Sequence, residues 1–279
     1  MPFPHFNPVM LQLGPLAIHW YAIAYIVGIL LGWLYCARLL RNPKIWAPGA
    51  APATAAQIDD LVLWITLGII LGGRLGYVLF YGRDSQGQNQ YFTHPLEIFK
   101  VWQGGMSFHG GFLGVCLALT VFARVNKLPL LGLADLIAPC APIGLFFGRI
   151  ANFINGELWG RPTTLPWGII FPNAPDALPR HPSQLYEAGL EGLALFLLLR
   201  WATHGGHWLP RRGAVTGLFI LGYGVVRVSL ENVRNPDLNM PSFPLGLTMG
   251  MILSIPMILV GGWLIRRGWT AKNAAPAVG

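Results

Sequence analysis

The sequence predicts an all-α, polytopic membrane protein with about seven transmembrane helices and a small outward-facing cap. Three observations predict it. Hydrophobic residues make up 54% of the 279 residues and charged residues only 11%, about half the charged share of a soluble domain. The mean hydropathy is +0.52. Apolar runs of about 20 residues recur, and hydrocarbon admits only helices or closed barrels.

Each element follows in order. The first ten residues hold three prolines, Pro2, Pro4 and Pro8, and no basic stretch. That argues against a cleavable secretory signal, so the first helix is expected to direct insertion itself. Spans are expected over residues 16–40, 58–81, 106–125, 131–153, 183–203, 214–233 and 245–265. Two connections are long. Residues 82–105 are expected to hold a short interfacial helix over 95–102. Residues 157–182 are proline-rich and read as a folded periplasmic cap, within one membrane domain covering 1–279. The Ala/Pro patch at 47–56 is the one biased stretch, and no internal repeat is visible.

The net charge of +8 suggests nucleic acid only until its distribution is read. The basic residues sit in short loops beside helix ends, the pattern of membrane topology and anionic lipid. On one side stand Arg38, Arg41, Lys44, Arg124, Lys127, Arg200, Arg211, Arg212, Arg266, Arg267 and Lys272. On the other stand Arg83, Lys100, Arg161, Arg180 and Arg234. This asymmetry puts the N-terminus outside and the C-terminus in the cytoplasm. Tyr21, His109, Arg149, Asn152, Glu187, Tyr223, Arg227 and Glu231 then share one depth, the outer leaflet. Polar residues gathered at one depth suit a lipid head group, whereas a channel would spread them along the membrane normal.

The densest polar stretch is Gly148 to Gly160, G-R-I-A-N-F-I-N-G-E-L-W-G. Intramembrane Arg, Asn and Glu are costly and mark functional sites. Arg149, Asn152 and Gly156 fall three and four apart, which would put a guanidinium, an amide and a gap on one helix face. The competing reading is helix–helix glue of polar and small residues. Arg149 and Arg227 carry forks that match phosphate oxygens. For Arg227 the alternative is an ion pair with Glu231, four residues on. His109 opens a helix in M-S-F-H-G-G and has a side chain able to take a proton near neutral pH. The alternative is a satisfied structural histidine. Gly110 and Gly111 permit close approach by a ligand or another helix. Gly72, Gly73 and Gly76 around Arg74 read as helix packing. Trp20, Tyr21, Tyr25, Tyr77, Tyr81 and Trp102 read first as an aromatic belt, with Tyr21 also placed to donate to a head group. Cys36, Cys116 and Cys140 lie in apolar segments without metal or pairing spacing and read as core residues. No nucleophile elbow, zinc cluster or P-loop is present.

These residues closely resemble the prolipoprotein diacylglyceryl transferase family. Gly148–Gly160 matches the family signature at its constrained positions. Supporting blocks are H-W-Y at 19–21, G-G-R-x-G-Y at 72–77, G-G-M-S-F-H-G-G at 104–111, R-H-P-S-Q-L-Y-E at 180–187 and G-Y-G-x-x-R at 222–227. They run from the first helix to the sixth. Asn232 and Val233 depart from the bulkier apolar residues expected after Glu231. The resemblance implies transfer of the diacylglyceryl group of phosphatidylglycerol to the lipobox cysteine of a prolipoprotein signal peptide. The setting implied is the outer face of the bacterial inner membrane. The product is a thioether, glycerol phosphate leaves, and no cofactor, metal or nucleic acid is involved. It implies His109, Arg149 and Arg227 as the catalytic residues, and Tyr21, Asn152, Glu157, Tyr223 and Glu231 as substrate-binding ones. The rival reading, a non-enzymatic lipid transporter or scaffold, would call for an inverted repeat or helices broken near the midplane.

Overall fold

The computed structural model describes residues 1–14, 16–46, 51–82, 89–101, 104–235, 243 and 246–270. Arg83, Trp102, Leu245 and Lys272, and part of the 47–56 patch, lie outside the described residues. The chain forms two compact units, one of Met1–Ala50 with Asp135–Gly279, the other of Ala51–Ala134.

In the first unit, strands β1 (Val9–Leu13) and β2 (Leu16–His19) pair as an antiparallel hairpin. The all-helical expectation had given residues 16–19 to the first span; the helix α1 instead starts at Trp20 and runs to Leu40. The remaining helices of this unit are α6 (Ala141–Ile154), α7 (Ser183–Glu187), α8 (Leu195–His204), α9 (Ala214–Leu230) and α10 (Met249–Thr270). A π-helical stretch, Ala188–Ala194, joins α7 to α8 without a break. Helix α5 (Leu130–Ile137) leads through a 3-10 turn into α6, so helical structure extends over Leu130–Ile154.

Gly213, the residue just before α9, is left-handed and gives the helix no side-chain cap. The buried Asp135 supplies one from another helix. Its carboxylate accepts from Gly213 N at 2.5 Å, Thr216 N at 2.8 Å and Thr216 Oγ1 at 2.7 Å. A negative charge at a helix N-terminus meets both the orphan N–H groups and the dipole.

The second unit holds α2 (Ala55–Phe80), the short α3 (Gln90–Thr93), a 3-10 turn Pro95–Phe99, and α4 (Phe108–Val125). A capping box of Thr54 and Gln57 starts α2. Helices α2 and α4 meet backbone to backbone. A Cβ at Gly68 would stand 2.6 Å from the Gly114 carbonyl, and one at Gly76 would stand 2.8 Å from Gly110 Cα. Only small residues allow this approach, and in lipid packing replaces the hydrophobic drive. Arg74, 5% exposed, is a structural residue. It donates to the carbonyls of Glu97 (2.6 Å), Ile98 (2.8 Å), Gly104 (2.7 Å) and Gly105 (3.1 Å).

Among the described residues, five helical segments are long and apolar enough to cross a membrane: Trp20–Leu40, Ala55–Phe80, Phe108–Val125, Leu130–Ile154 and Met249–Thr270. Ala214–Leu230 is a shorter apolar helix. The remaining expected span, over residues 183–203, is a helical run carrying Glu187 and Glu191 at full burial. Those carboxylates lower its apolarity, and they belong to the site. Leucines such as Leu34, Leu63, Leu71, Leu113 and Leu197 point outward, an arrangement unfavourable in water and natural in lipid. Cys116 shares that outward face, which corrects its reading as a core residue; Cys36 is buried and Cys140 partly so.

Candidate active site

Helix α6 delivers Arg149 and Asn152 and then stops at Gly156, φ +62. Gly156 N donates to Phe153 O at 2.9 Å, and Glu157 N to Asn152 O at 3.1 Å. This bond pair is a Schellman ending, which needs a left-handed residue and so favours glycine. Gly156 is therefore the stop after the helix, not the gap on its face that the spacing suggested. The turn folds Glu157 back onto the helix it has just left. Its Oε1 accepts from Asn152 Nδ2 at 2.9 Å, and Tyr21 at the start of α1 donates to the same oxygen while accepting from Asn152. Tyr21, Asn152 and Glu157 thus form one hydrogen-bonded group. The Tyr21 proton is engaged with Glu157 and fixes this loop.

Behind the loop, residues 157–182 fold on a small core. Phe153, Ile169 and Phe171 are buried, with Phe3, Trp159, Ala174 and Leu185 packed against them. Arg180 holds the segment together. It donates to Asp176 through Nε (3.2 Å) and Nη2 (2.8 Å) and to Gly160 O through Nη1 (3.2 Å). The same guanidinium keeps the Asp176 carboxyl below its ordinary range. Val233, the departure noted after Glu231, accepts from Arg161 N at 2.9 Å through its carbonyl. A backbone bond makes little demand on side-chain bulk.

The second group is a cluster of three arginines and three glutamates. Arg149 sets Nε 3.1 Å from Glu187 Oε2 and Nη2 3.2 Å from Glu191 Oε2. Arg227 sets Nη1 3.2 Å from Glu187 Oε1 and Nη2 2.6 Å from Glu231 Oε1. Arg234 reaches Glu187 Oε1 at 2.5 Å and Glu231 Oε1 at 3.8 Å. The ion-pair alternative for Arg227 is thus realised, and Arg149 is paired as well. Burying such charges is tolerable only because they neutralise one another. Pairing does not exhaust the arginines. Their side chains keep 17% exposure, and neither Nη1 of Arg149 nor Nε of Arg227 enters an ion pair among the described residues. Tyr223, one turn before Arg227, lies in the field of Arg149, Arg227, Glu187 and Glu191.

Two local features make the cluster possible. The π-helical stretch follows Glu187 and contains Glu191, and such turns recur at functional sites. Gly192 within it lets α6 close in: a Cβ there would stand 2.8 Å from Phe146 Cα. On α10, Gly250 admits the Arg227–Glu231 pair; its Cβ would stand 3.2 Å from Arg227 Nη2.

His109 belongs to the second unit, in the first turn of α4. It is exposed, and the Phe108 ring stands edge-on at 5.6 Å. Ser107 caps this helix through Gly110 N at 3.3 Å. Of the open readings for Gly110, the structure shows the helix contact, against Gly72 and Gly76.

Sequence spacing pointed to neither Glu191 nor Arg234, nor to the buried Gln184, whose Nε2 donates to Glu157 O, and it gave Glu187 no role. A signal was present: two carboxylates four apart in an otherwise apolar run, which require basic partners. Arg234 reads from sequence as a loop charge because its neighbours are polar.

A helical membrane protein with a buried, charge-balanced arginine–glutamate site is the class this geometry defines. The family model described as prolipoprotein diacylglyceryl transferase matches residues 8–267, and the chain belongs to that family. A phosphatidylglycerol–prolipoprotein diacylglyceryl transferase of Caulobacter sp. (strain K31) is 62% identical over 278 residues, covering 95% of this chain and 92% of the relative. The protein of the same name from Phenylobacterium zucineum (strain HLK1) is 58% identical over 290 residues, with 99% of each covered. That of Rhizobium meliloti (strain 1021) is 50% identical, covering 99% of this chain and 96% of the relative.

Proposed function

We propose that this protein moves the diacylglyceryl group of phosphatidylglycerol onto the lipobox cysteine thiol of a prolipoprotein signal peptide. Family membership over residues 8–267, with relatives so named, carries the reading. The chemistry is a displacement. The sulfur bonds to the glyceryl carbon that bears the phosphate, and the carbon–oxygen bond to that phosphate breaks. The electron pair leaves with glycerol phosphate, and the thiol proton passes to a ring nitrogen of His109. The phosphodiester is itself the leaving group, so the step calls for no nucleotide.

Arg149 and Arg227 stabilise the charge that grows on the phosphate, as donors do in an oxyanion site. Their carboxylate partners hold both guanidiniums in fixed orientations, which supports this role. A free thiol has a pKa of about 8.5 and must ionise to attack, the task assigned to His109. Its exposure in the first turn of α4 supports it. Tyr21, Asn152 and Glu157 shape the adjoining loop, and Tyr223 and Glu231 set the position of Arg227. The basic asymmetry supports a multi-pass inner-membrane protein with its N-terminus outside, its active site at outer-leaflet depth and residues 157–182 as a periplasmic cap in one membrane domain.

The test is direct. Purified protein is incubated with phosphatidylglycerol and a lipobox peptide, and the peptide mass is followed. A diacylglyceryl adduct on cysteine is expected. Phosphatidylglycerol hydrolysis without an adduct would overturn the reading.

A further inference from the structure

The first unit has a second place suited to a phospholipid, away from the arginine–glutamate cluster. A groove of about 370 Å³ lies between α1, α6 and α8, lined by Leu31, Leu34, Tyr35, Arg38, Ile143 and Phe196. That volume lies within the range of small-ligand sites. From Tyr21 to Arg38 helix α1 climbs roughly 25 Å, at about 1.5 Å per residue. The groove therefore opens at the opposite end of α1 from the Tyr21–Asn152–Glu157 group.

Its walls are aliphatic and open to the bilayer: Leu31 is 40% exposed and Leu34 55%. Its mouth is basic. Arg38 lines it, and Arg200 neighbours the Tyr35 hydroxyl. Both arginines lie within electrostatic range of His204, whose ring is 6.5 Å from that of Tyr35. The contrast with the other end is chemical. Arg149, Arg227 and Arg234 all face glutamates. Arg38 and Arg200 are exposed and enter no ion pair among the described residues.

We propose that this groove binds an anionic phospholipid of the leaflet remote from the arginine–glutamate cluster. An acyl chain lies along Leu31, Leu34, Ile143 and Phe196, and the lipid phosphate meets Arg38 and Arg200. The argument is charge complementarity: an apolar trough topped by two unneutralised forks matches a hydrocarbon tail topped by a phosphate. Each basic residue near a lipid head adds roughly fivefold in affinity, so the pair adds roughly 30-fold over a zwitterionic lipid.

The test uses the full chain in a zwitterionic detergent, titrated with dioleoyl phosphatidic acid or dioleoyl phosphatidylcholine, with bound lipids counted by native mass spectrometry. Phosphatidylglycerol is avoided because it is the proposed substrate. Wild type should retain one more phosphatidic acid than the Arg38→Gln/Arg200→Gln double variant, with affinity for that copy weakened roughly 30-fold. Leu34→Trp keeps both charges and fills the trough, and should lose the same copy. Transferase activity of both variants should match wild type. Equal phosphatidic acid retention by wild type and the double variant would overturn the proposal, as would equal retention of phosphatidylcholine and phosphatidic acid by wild type.

Discussion

Glu187 and Arg234 meet at 2.5 Å, and the same carboxylate also faces Arg149 and Arg227. One side chain thus ties together α6, α9 and the turn after α9. It is 0% exposed, so no water stands ready to replace a lost partner. Glu187→Gln keeps the shape and removes the charge, leaving three guanidiniums facing two carboxylates. Removing one partner of a buried pair costs about 3–5 kcal/mol. A marked fall in the thermal midpoint in detergent is expected. Glu191→Gln, which loses one arginine contact, should fall less. Equal midpoints for Glu187→Gln and wild type would mean the cluster does not hold the helices.

Arg149 uses two nitrogens of its fork at once, on two different glutamates. Lysine keeps the charge but offers a single nitrogen. Arg149→Lys should therefore lose roughly 100-fold or more in adduct formation, the scale of one lost transition-state donor. The protein should still insert and extract normally. Near-normal turnover would argue against orientation as the role of this residue.

His109→Gln should lower the rate roughly 10²–10⁴-fold at neutral pH, the usual contribution of a positioned base. Part of the loss should return at alkaline pH, where the peptide thiol ionises unaided. Phosphatidylglycerol affinity should hold, since the proposed function assigns the lipid phosphate to the arginines. A defect wholly in lipid binding would reassign His109.

Asp135 caps a helix to which it does not belong. Asp135→Ala leaves Gly213 N and Thr216 N without that acceptor, so a loss of about 1–2 kcal/mol is expected. Asp135→Asn keeps an acceptor oxygen and should lose less. Thermal unfolding of the two variants side by side checks the order.

For topology, reporter fusions at Asn126 and Gly268 should report cytoplasm and one at Asp176 the outside. A cytoplasmic signal at Asp176 would reverse the orientation and the depth assigned to the site.

Much of this was legible before any coordinates. Apolar runs carry a strong signal because hydrocarbon leaves the backbone so few choices, and the helices α1, α2, α4, α6, α9 and α10 fall close to where those runs sit. Glycines 72 and 76 could be read as packing residues because an arginine between them leaves few other reasons for small neighbours. Pairing was harder. Nothing local distinguishes an arginine that waits for a phosphate from one that meets Glu187, since the glutamate is many residues away in sequence. The hairpin β1–β2 was hidden because its second strand continues the hydrophobicity of α1. The role of Gly156 was hidden for a different reason: spacing counts positions along a helix and does not mark where the helix ends.

Among the described residues the arginine–glutamate cluster has equal numbers of opposite charges, three of each, and this bears on turnover. A site of large positive potential would seize its lipid and then hold the departing glycerol phosphate more tightly still, because the released monoester carries more charge than the diester it came from. A balanced site does the reverse. On the proposed function it grips the lipid phosphate through aimed N–H groups over a few ångströms, and its carboxylates push back once the product gains charge. On that reading product release follows from the stoichiometry of the cluster, and added glycerol phosphate should inhibit the protein only weakly.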